Sequence, residues 1–259
     1  PTGRPLAATD PAGLAEQIAL AERLIRDPAT PADQMTAAAR LQQVAYRQLG
    51  RHPEWDPGVL ARLPRELVEA VQLHADARRQ FAGLLSRIPD TMPVWEIVAP
   101  EPAENLRSYY REAEATFGVA WAYLAAINLV ETGMGRIRGL STAGAQGPMQ
   151  FMPATWGAYG EGDINAPRDA ILAAGRYLAA NGFADGEVDY ALFRYNNHAN
   201  YVAGVKAYAR IIELDAQAFY GLYHWEIYYA SVAGDLWLPV GYTLTEAIPV
   251  TDWVAAHPQ

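Results

Sequence analysis

The chain of 259 residues contains no cysteine, which removes disulfides, thiolate metal sites and a cysteine nucleophile from consideration. That absence assigns no compartment, because secreted proteins of this size fold without disulfides. Lysine is nearly missing as well: Lys206 stands alone among 20 basic residues, a skew without mechanistic content. Acids outnumber bases 29 to 20, for a formal charge of −9. Nucleic acid and anionic membrane both require a basic footprint, so neither is expected as the main partner. Long apolar runs are also lacking. The most apolar stretch, residues 118–130, is too short to span a bilayer and predicts a buried helix. His-Glu-x-x-His and phosphate-loop patterns are absent. The acidic segment 160–165 lacks the alternation and closing Glu of an EF-hand loop, so no metal and no cofactor is expected. The chain opens at Pro1 without a basic-then-apolar leader in view, the expectation being a processed or trimmed chain.

What is present divides into two compositions. Residues 1–92 carry 11 arginines and 11 acids, and residues 93–259 carry the other 9 bases and 18 acids. The first part predicts a helical bundle over residues 1–88. Asp10-Pro11, Thr30-Pro31 and Asp56-Pro57 each pair a capping residue with a first-turn proline. Leu14, Ile18, Ala21 and Ile25 share one helical face, as do Leu41, Val44 and Ala45; Leu67, Val71, Ala75, Phe81 and Leu85 repeat the pattern. Residues 50–55 read as a loop. His52 and His74 have no partner at metal spacing, so neither is expected to have a functional role. Four prolines between Ile88 and Glu104 mark residues 89–102 as a linker or an extended strap.

Helices resume over residues 103–117, 119–131 and 167–181, the third capped by Asn165 or a residue nearby, and start again near Asp189 and Asn200. At the end, residues 224–230 and 236–242 flank Gly234-Asp235 and predict a hairpin. Its neighbourhood is aromatic: Tyr223, Trp225, Tyr228, Tyr229 and Trp237 either stack on sugars or, the favoured reading, anchor the hairpin. Residues 103–259 form the second part. No repeat or low-complexity tract occurs.

Three segments carry chemistry. Glu131-Thr132-Gly133 ends the apolar helix, so the Glu131 carboxyl should emerge from an apolar wall. Desolvation favours the protonated carboxyl, and the helix C-terminus does not stabilise an anion, which makes Glu131 a candidate general acid. Residues 141–150 are glycine-rich and end in Gly147-Pro148-Met149-Gln150, where backbone can approach a ligand. Arg194-Tyr195-Asn196 supplies a phenol that can donate to a carboxylate.

Taken together, these segments resemble the soluble lytic transglycosylases of the goose-type-lysozyme-like fold. That family's pattern is Glu-Ser in a helix, then Gly-Leu-Met-Gln, then Ala-Tyr-Asn, and residues 170–178 look like its intervening helix. The resemblance covers about residues 103–212. Thr132 stands where the family has Ser, Pro148 replaces Leu and Arg194 replaces Ala, a variant similar to a branch found in actinobacterial enzymes. The resemblance implies a mainly α, lysozyme-like catalytic domain with an N-terminal helical bundle and a small C-terminal β-hairpin. It implies cleavage of the β-1,4 bond between N-acetylmuramic acid and N-acetylglucosamine in peptidoglycan. Glu131 would protonate the bridging oxygen and then deprotonate the muramoyl 6-hydroxyl, which closes on C1 to give a 1,6-anhydro product. Ser141 and Gln150 would contact the sugar or its N-acetyl groups, Met149 would line the cleft, Tyr195 would hydrogen-bond Glu131 and orient it, and Asn196 would hold the neighbouring loop or the substrate.

No second carboxylate is needed by such chemistry. Glu161, Asp163 and Asp169 read as surface or capping acids, and His198 is not a catalyst. The partners implied are glycan strands and, through the N-terminal bundle, a cell-wall enzyme. The setting implied is extracellular or the cell envelope, for a monomer. The alternatives are a muramidase or chitinase-like hydrolase, and a non-catalytic glycan-binding scaffold.

Overall fold

The computed structural model describes residues 4–257. In chain order the elements are α1 (Pro11–Arg26), α2 (Ala32–Arg51), α3 (Asp56–Leu60), α4 (Arg65–Ala82), β1 (Glu96–Ile97), α5 (Ala103–Phe117), α6 (Trp121–Thr132), β2 (Ile137–Arg138) and α7 (Pro153–Tyr159). They continue as α8 (Pro167–Ala180), α9 (Val188–Tyr195), α10 (Ala199–Leu214), α11 (Ala218–Tyr223), β3 (Ile227–Ser231), β4 (Gly234–Leu238) and α12 (Val250–Ala256). The described chain is thus mainly α with a small hairpin near its end, as expected. None of its helices is long and apolar enough to cross a membrane. By contact it forms two compact units, one ending at Leu84 and completed by Asn197–Trp225, the other Leu85–Asn196 with the chain from Glu226 on. The linear division at residues 89–102 did not anticipate that α10 and α11 belong with the N-terminal helices.

In the first unit α1 packs on α2, and α4 lies along α10. Leu14, Ile18, Ala21 and Ile25 are fully buried on one face of α1. The expected face of α2 is only partly right. Ala45 is buried, but Leu41 and Val44 are half-buried, and Gln42 and Tyr46 take interior places. The reason is a buried carboxylate on α1, because a buried charge must be hydrogen-bonded. Glu22 accepts from Gln42 Nε2 at 2.9 Å, the Tyr46 hydroxyl at 2.6 Å and Arg26 Nε at 3.1 Å.

His74 on α4 belongs to the same cluster, stacked on Tyr46 at 4.0 Å with Nε2 3.8 Å from Glu22. His52 stacks on Trp55 and meets Glu54 at 2.8 Å. Of the three proline-led caps only Asp10 acts as one, accepting from Ala12 and Gly13. The Thr30 hydroxyl turns back to the Leu24 carbonyl, and the Asp56 carboxylate is taken by Arg79 at 2.7 and 2.8 Å. Leu85 lies beyond the end of α4 and is 48% exposed.

In the second unit α6 is central, with almost every residue from Trp121 to Asn128 buried and with α5 and α8 packed on it and on each other. The proline-rich segment is a strap rather than a free tether. Met92 and Ile97 are buried, and Met92 N–H donates to the Ile248 carbonyl, Ile97 N–H to Tyr242 and Val98 N–H to Arg136. Extended backbone suits these hydrogen bonds, and proline imposes it on the residue before it. β1 pairs antiparallel with β2, Glu96 opposite Arg138 and Ile97 opposite Ile137.

The hairpin is displaced from its expected register. Val232-Ala233 form its loop, while Gly234 and Asp235 open β4 opposite Ser231 and Ala230. Gly234, at φ 93, and the Ser231 hydroxyl, which donates to the Gly234 carbonyl, supply the turn that a bare Gly-Asp pair suggested two residues later. Ile227, Leu236 and Leu238 face a core completed by Met92, Ile97, Tyr242 and Val250. Helix α12, which no sequence pattern announced, places Val250 in it.

Candidate active site

All six residues singled out from the sequence lie in the second unit. Glu131 is half-buried on the last turn of α6, one residue before Thr132. The helix stops there because Gly133 adopts the left-handed conformation (φ 60), where a Cβ would come within 2.5 Å of Ile227 Cδ1. Arg136, nearly buried, donates from Nη1 to the Gly133 carbonyl at 2.9 Å and brings positive charge to the helix C-terminus.

Behind Glu131 runs a buried polar chain. The Thr132 hydroxyl donates to the Pro148 carbonyl at 2.6 Å and accepts from Gly135 N–H at 3.0 Å. Asn128, one turn earlier, donates from Nδ2 to the same Pro148 carbonyl at 2.9 Å, and its Oδ1 accepts from the Tyr110 hydroxyl at 2.6 Å. Thr132 thus supplies the hydroxyl that Ser supplies in the family pattern. Asn128 and Tyr110 were not anticipated. The available signal was a lone amide inside the apolar run 118–130.

The segment after Pro148 is a tight turn. Gln146 and Phe151 bridge across it, Gln150 N–H bonds the Gly147 carbonyl at 3.0 Å, and Gln150 is held at φ 52. A left-handed non-glycine residue stores strain of about 1 kcal/mol or more, tolerated where the surroundings over-determine it. Gly147 at φ 73 lies against the Ile164 carbonyl, which a Cβ would strike. The Gln150 side chain folds back, Nε2 donating to the Gly147 carbonyl at 3.0 Å. Met149, expected to line a cleft, is instead fully buried and packs beneath the turn. Ser141 uses its hydroxyl oxygen locally, accepting from Ala143 and Ala145 N–H at 3.2 and 2.9 Å.

Tyr195, half-buried at the end of α9, donates its hydroxyl to the Met149 carbonyl at 2.7 Å. Burial, and after it the nearby Glu131 carboxylate and Tyr177, push this phenol well above its ordinary range. The hydroxyl therefore stays protonated beside Glu131 at neutral pH. Tyr177 packs edge-on and Phe151 tilted against it, with ring centroids 5.6 and 5.9 Å from Tyr195, and the Tyr177 hydroxyl holds the Arg194 carbonyl at 2.6 Å. Neither was read from the sequence as part of the site. Asn196 is exposed and extended, its N–H closing α9 on the Leu192 carbonyl.

The other acids considered have local employment. Asp163 accepts from Asn165 N–H at 2.9 Å, Asp169 accepts from Asp163 N–H at 2.9 Å, and Glu161 meets Arg176 at 3.1 Å. The cap of α8 is Ala166, next to Asn165. Trp225 is a core residue of the first unit, donating to Gln42 at 2.9 Å, and Tyr229 anchors the hairpin through the Thr91 carbonyl. A separate concavity of about 580 Å³ has Asn128, Gly147 and Pro148 in its wall, with Glu101, Arg138 and Asp163 also lining it. Neither Glu131 nor Tyr195 lines it.

The second unit thus holds a half-buried carboxyl at a helix C-terminus, a phenol pushed above its ordinary range and a strained glycine-rich turn. Residues 108–213 match the model of the Transglycosylase SLT domain, a span that contains all six residues. A curated relative, membrane-bound lytic murein transglycosylase F of Thiobacillus denitrificans, is 32% identical over 97 residues, 38% of this chain. The chain spans 18% of that relative's length. No solved structure matches it.

Proposed function

We propose that the chain is a peptidoglycan lytic transglycosylase of lysozyme-like type, with Glu131 as the single acid–base residue and the catalytic part in the second unit. The observation that carries this reading is that Glu131 near the end of α6, the tight turn whose Pro148 and Met149 carbonyls are held by Thr132 and Tyr195, and Tyr195 itself all lie inside the segment that matches the SLT model. Glu131 gives its proton to the oxygen linking N-acetylmuramic acid to N-acetylglucosamine, and the C1–O bond breaks. The resulting carboxylate takes the proton of the muramoyl 6-hydroxyl while that oxygen bonds to C1. One ring forms, one glycosidic bond is lost, no water is consumed, and Glu131 returns to its starting state.

The rigid turn serves this cycle by holding sugar contacts at Gln150 and Ser141 in register with the acid. Asn196 contacts the substrate from the end of α9. An envelope location, a monomeric state and a cell-wall enzyme partner for the N-terminal helices belong to the same reading.

Digestion of purified peptidoglycan with mass spectrometry of the muropeptides tests it. The expected products are anhydromuropeptides, and Glu131→Gln abolishes them while leaving the circular dichroism spectrum unchanged. Products heavier by one water would replace this reading with hydrolysis; products from Glu131→Gln at the wild-type rate would remove Glu131 from the chemistry.

A further inference from the structure

Two successive carbonyls, those of Pro148 and Met149, are held by side chains from two different helices, α6 and α9. Pro148 is bonded from α6 by Thr132 at 2.6 Å and Asn128 at 2.9 Å, and Met149 from α9 by Tyr195 at 2.7 Å. Asn128 is 1% exposed in a helix whose other buried residues, Thr132 apart, are apolar. An amide there has been stripped of water, a cost that its hydrogen bonds must offset, and an apolar side chain would pack without it. Its amide is committed at both ends, Oδ1 to the Tyr110 hydroxyl at 2.6 Å and Nδ2 to Pro148. Tyr110, itself fully buried on α5, therefore fixes which way the amide points. The Asn128 backbone carbonyl also accepts from Met134 N–H at 3.0 Å, so the same residue ties down the chain that leaves the helix.

Resting on the function proposed above, we infer that Asn128 and Tyr110 are positioning residues for Glu131. They hold the Pro148–Met149 peptide at a set distance from the last turn of α6, and so hold the sugar-contacting turn at Gln150 in register with the acid. A displacement of about 1 Å between an acid and a bound substrate costs on the order of a hundredfold in rate. Loss of this hold acts on the chemical step more than on ground-state binding, because the sugar contacts themselves remain.

The test uses Asn128→Ala, Tyr110→Phe, Thr132→Val and Thr132→Ser in the full chain, with two readouts. The first is kcat and KM for anhydromuropeptide release over a range of pH. Asn128→Ala and Thr132→Val are expected to lose about a hundredfold in kcat, with KM within about threefold and a displaced pH profile. Thr132→Ser, which keeps the hydroxyl, is expected to stay within about threefold of wild type. The second readout needs no turnover: the Tyr195 ¹³Cζ resonance moves in Asn128→Ala and Tyr110→Phe, because Tyr195 holds the next carbonyl along the chain, that of Met149. A folded Asn128→Ala with wild-type kcat and pH profile overturns the inference, as does an unmoved Tyr195 resonance in both variants. If wild type releases no product, the functional reading fails and the Tyr195 resonance alone decides the positioning claim. If Asn128→Ala does not fold, Tyr110→Phe carries both readouts.

Discussion

Replacing His74 with Phe is expected to remove most of the acid sensitivity of this protein's stability between pH 7 and pH 5. His74 is 1% exposed, neither ring nitrogen has a hydrogen-bond partner, and the ring stacks on Tyr46 at 4.0 Å. Burial drives its imidazole from 6.5 down to about 4, the pull of Glu22 being too weak to restore it and Arg26 adding to the decrease. Below pH 6.5 the unfolded chain takes up a proton at this residue that the folded chain refuses until about pH 4. The stabilisation is therefore complete above pH 6.5 and lost as pH falls toward 4.

A gap of about 2.5 pH units corresponds to about 3 kcal/mol, of which about 2 kcal/mol disappears between pH 7 and pH 5. Phenylalanine keeps the stacked ring and removes the titration. Urea unfolding of both proteins at pH 7, 6 and 5 should show wild type losing about 2 kcal/mol more than His74→Phe over that range. NMR titration of the wild-type imidazole should place its midpoint near 4. Parallel stability profiles for the two proteins, or an imidazole midpoint at 6 or above, would refute the reasoning.

Two further outcomes follow from the same packing. Tyr46→Phe deletes one of the donors that, with His74, Arg26 and Gln42, hold the Glu22 carboxyl below its usual range against the opposing effect of burial. It should cost about 2 kcal/mol in urea unfolding at pH 7, the size expected for a hydrogen bond to a buried charge; a loss below about 0.5 kcal/mol would contradict the accounting. Gly147→Ala puts a Cβ into the Ile164 carbonyl at φ 73 and should destabilise by about 2 kcal/mol or more while abolishing product release. Wild-type stability and turnover in that variant would show that the turn relaxes freely.

Legibility from the sequence followed the range of the interaction involved. The face Leu14, Ile18, Ala21 and Ile25 was readable because helical periodicity is local and the water it avoids is the same everywhere. The face of α2 was misread at Leu41 and Val44 because what decides it is a carboxylate 20 residues away, on Glu22. Asp56-Pro57 carries the signature of a cap, yet Arg79 on another helix claims its carboxylate. The hairpin was found but misplaced, since its turn depends on which residue bonds Gly234 rather than on Gly-Asp alone. At the candidate site, Glu131, Ser141, Gln150 and Tyr195 stood out by residue type and spacing. Met149 stood out too, but its side chain is enclosed, a fact that depends on what packs over it.

Composition and local pattern alone determined the class of the protein: mainly helical with a small hairpin, free of cysteine, with one acid at the end of its most apolar helix. These are properties of composition and of contacts a few residues apart. Tertiary structure alone decided that residues 89–102 are a hydrogen-bonded strap, that Asn197–Trp225 returns to the N-terminal helices, and that two consecutive carbonyls tie the turn at Met149 to α6 and to Tyr195. Each of those depends on partners 40 or more residues apart, or on a buried polar group that must find a partner wherever the folded chain supplies one.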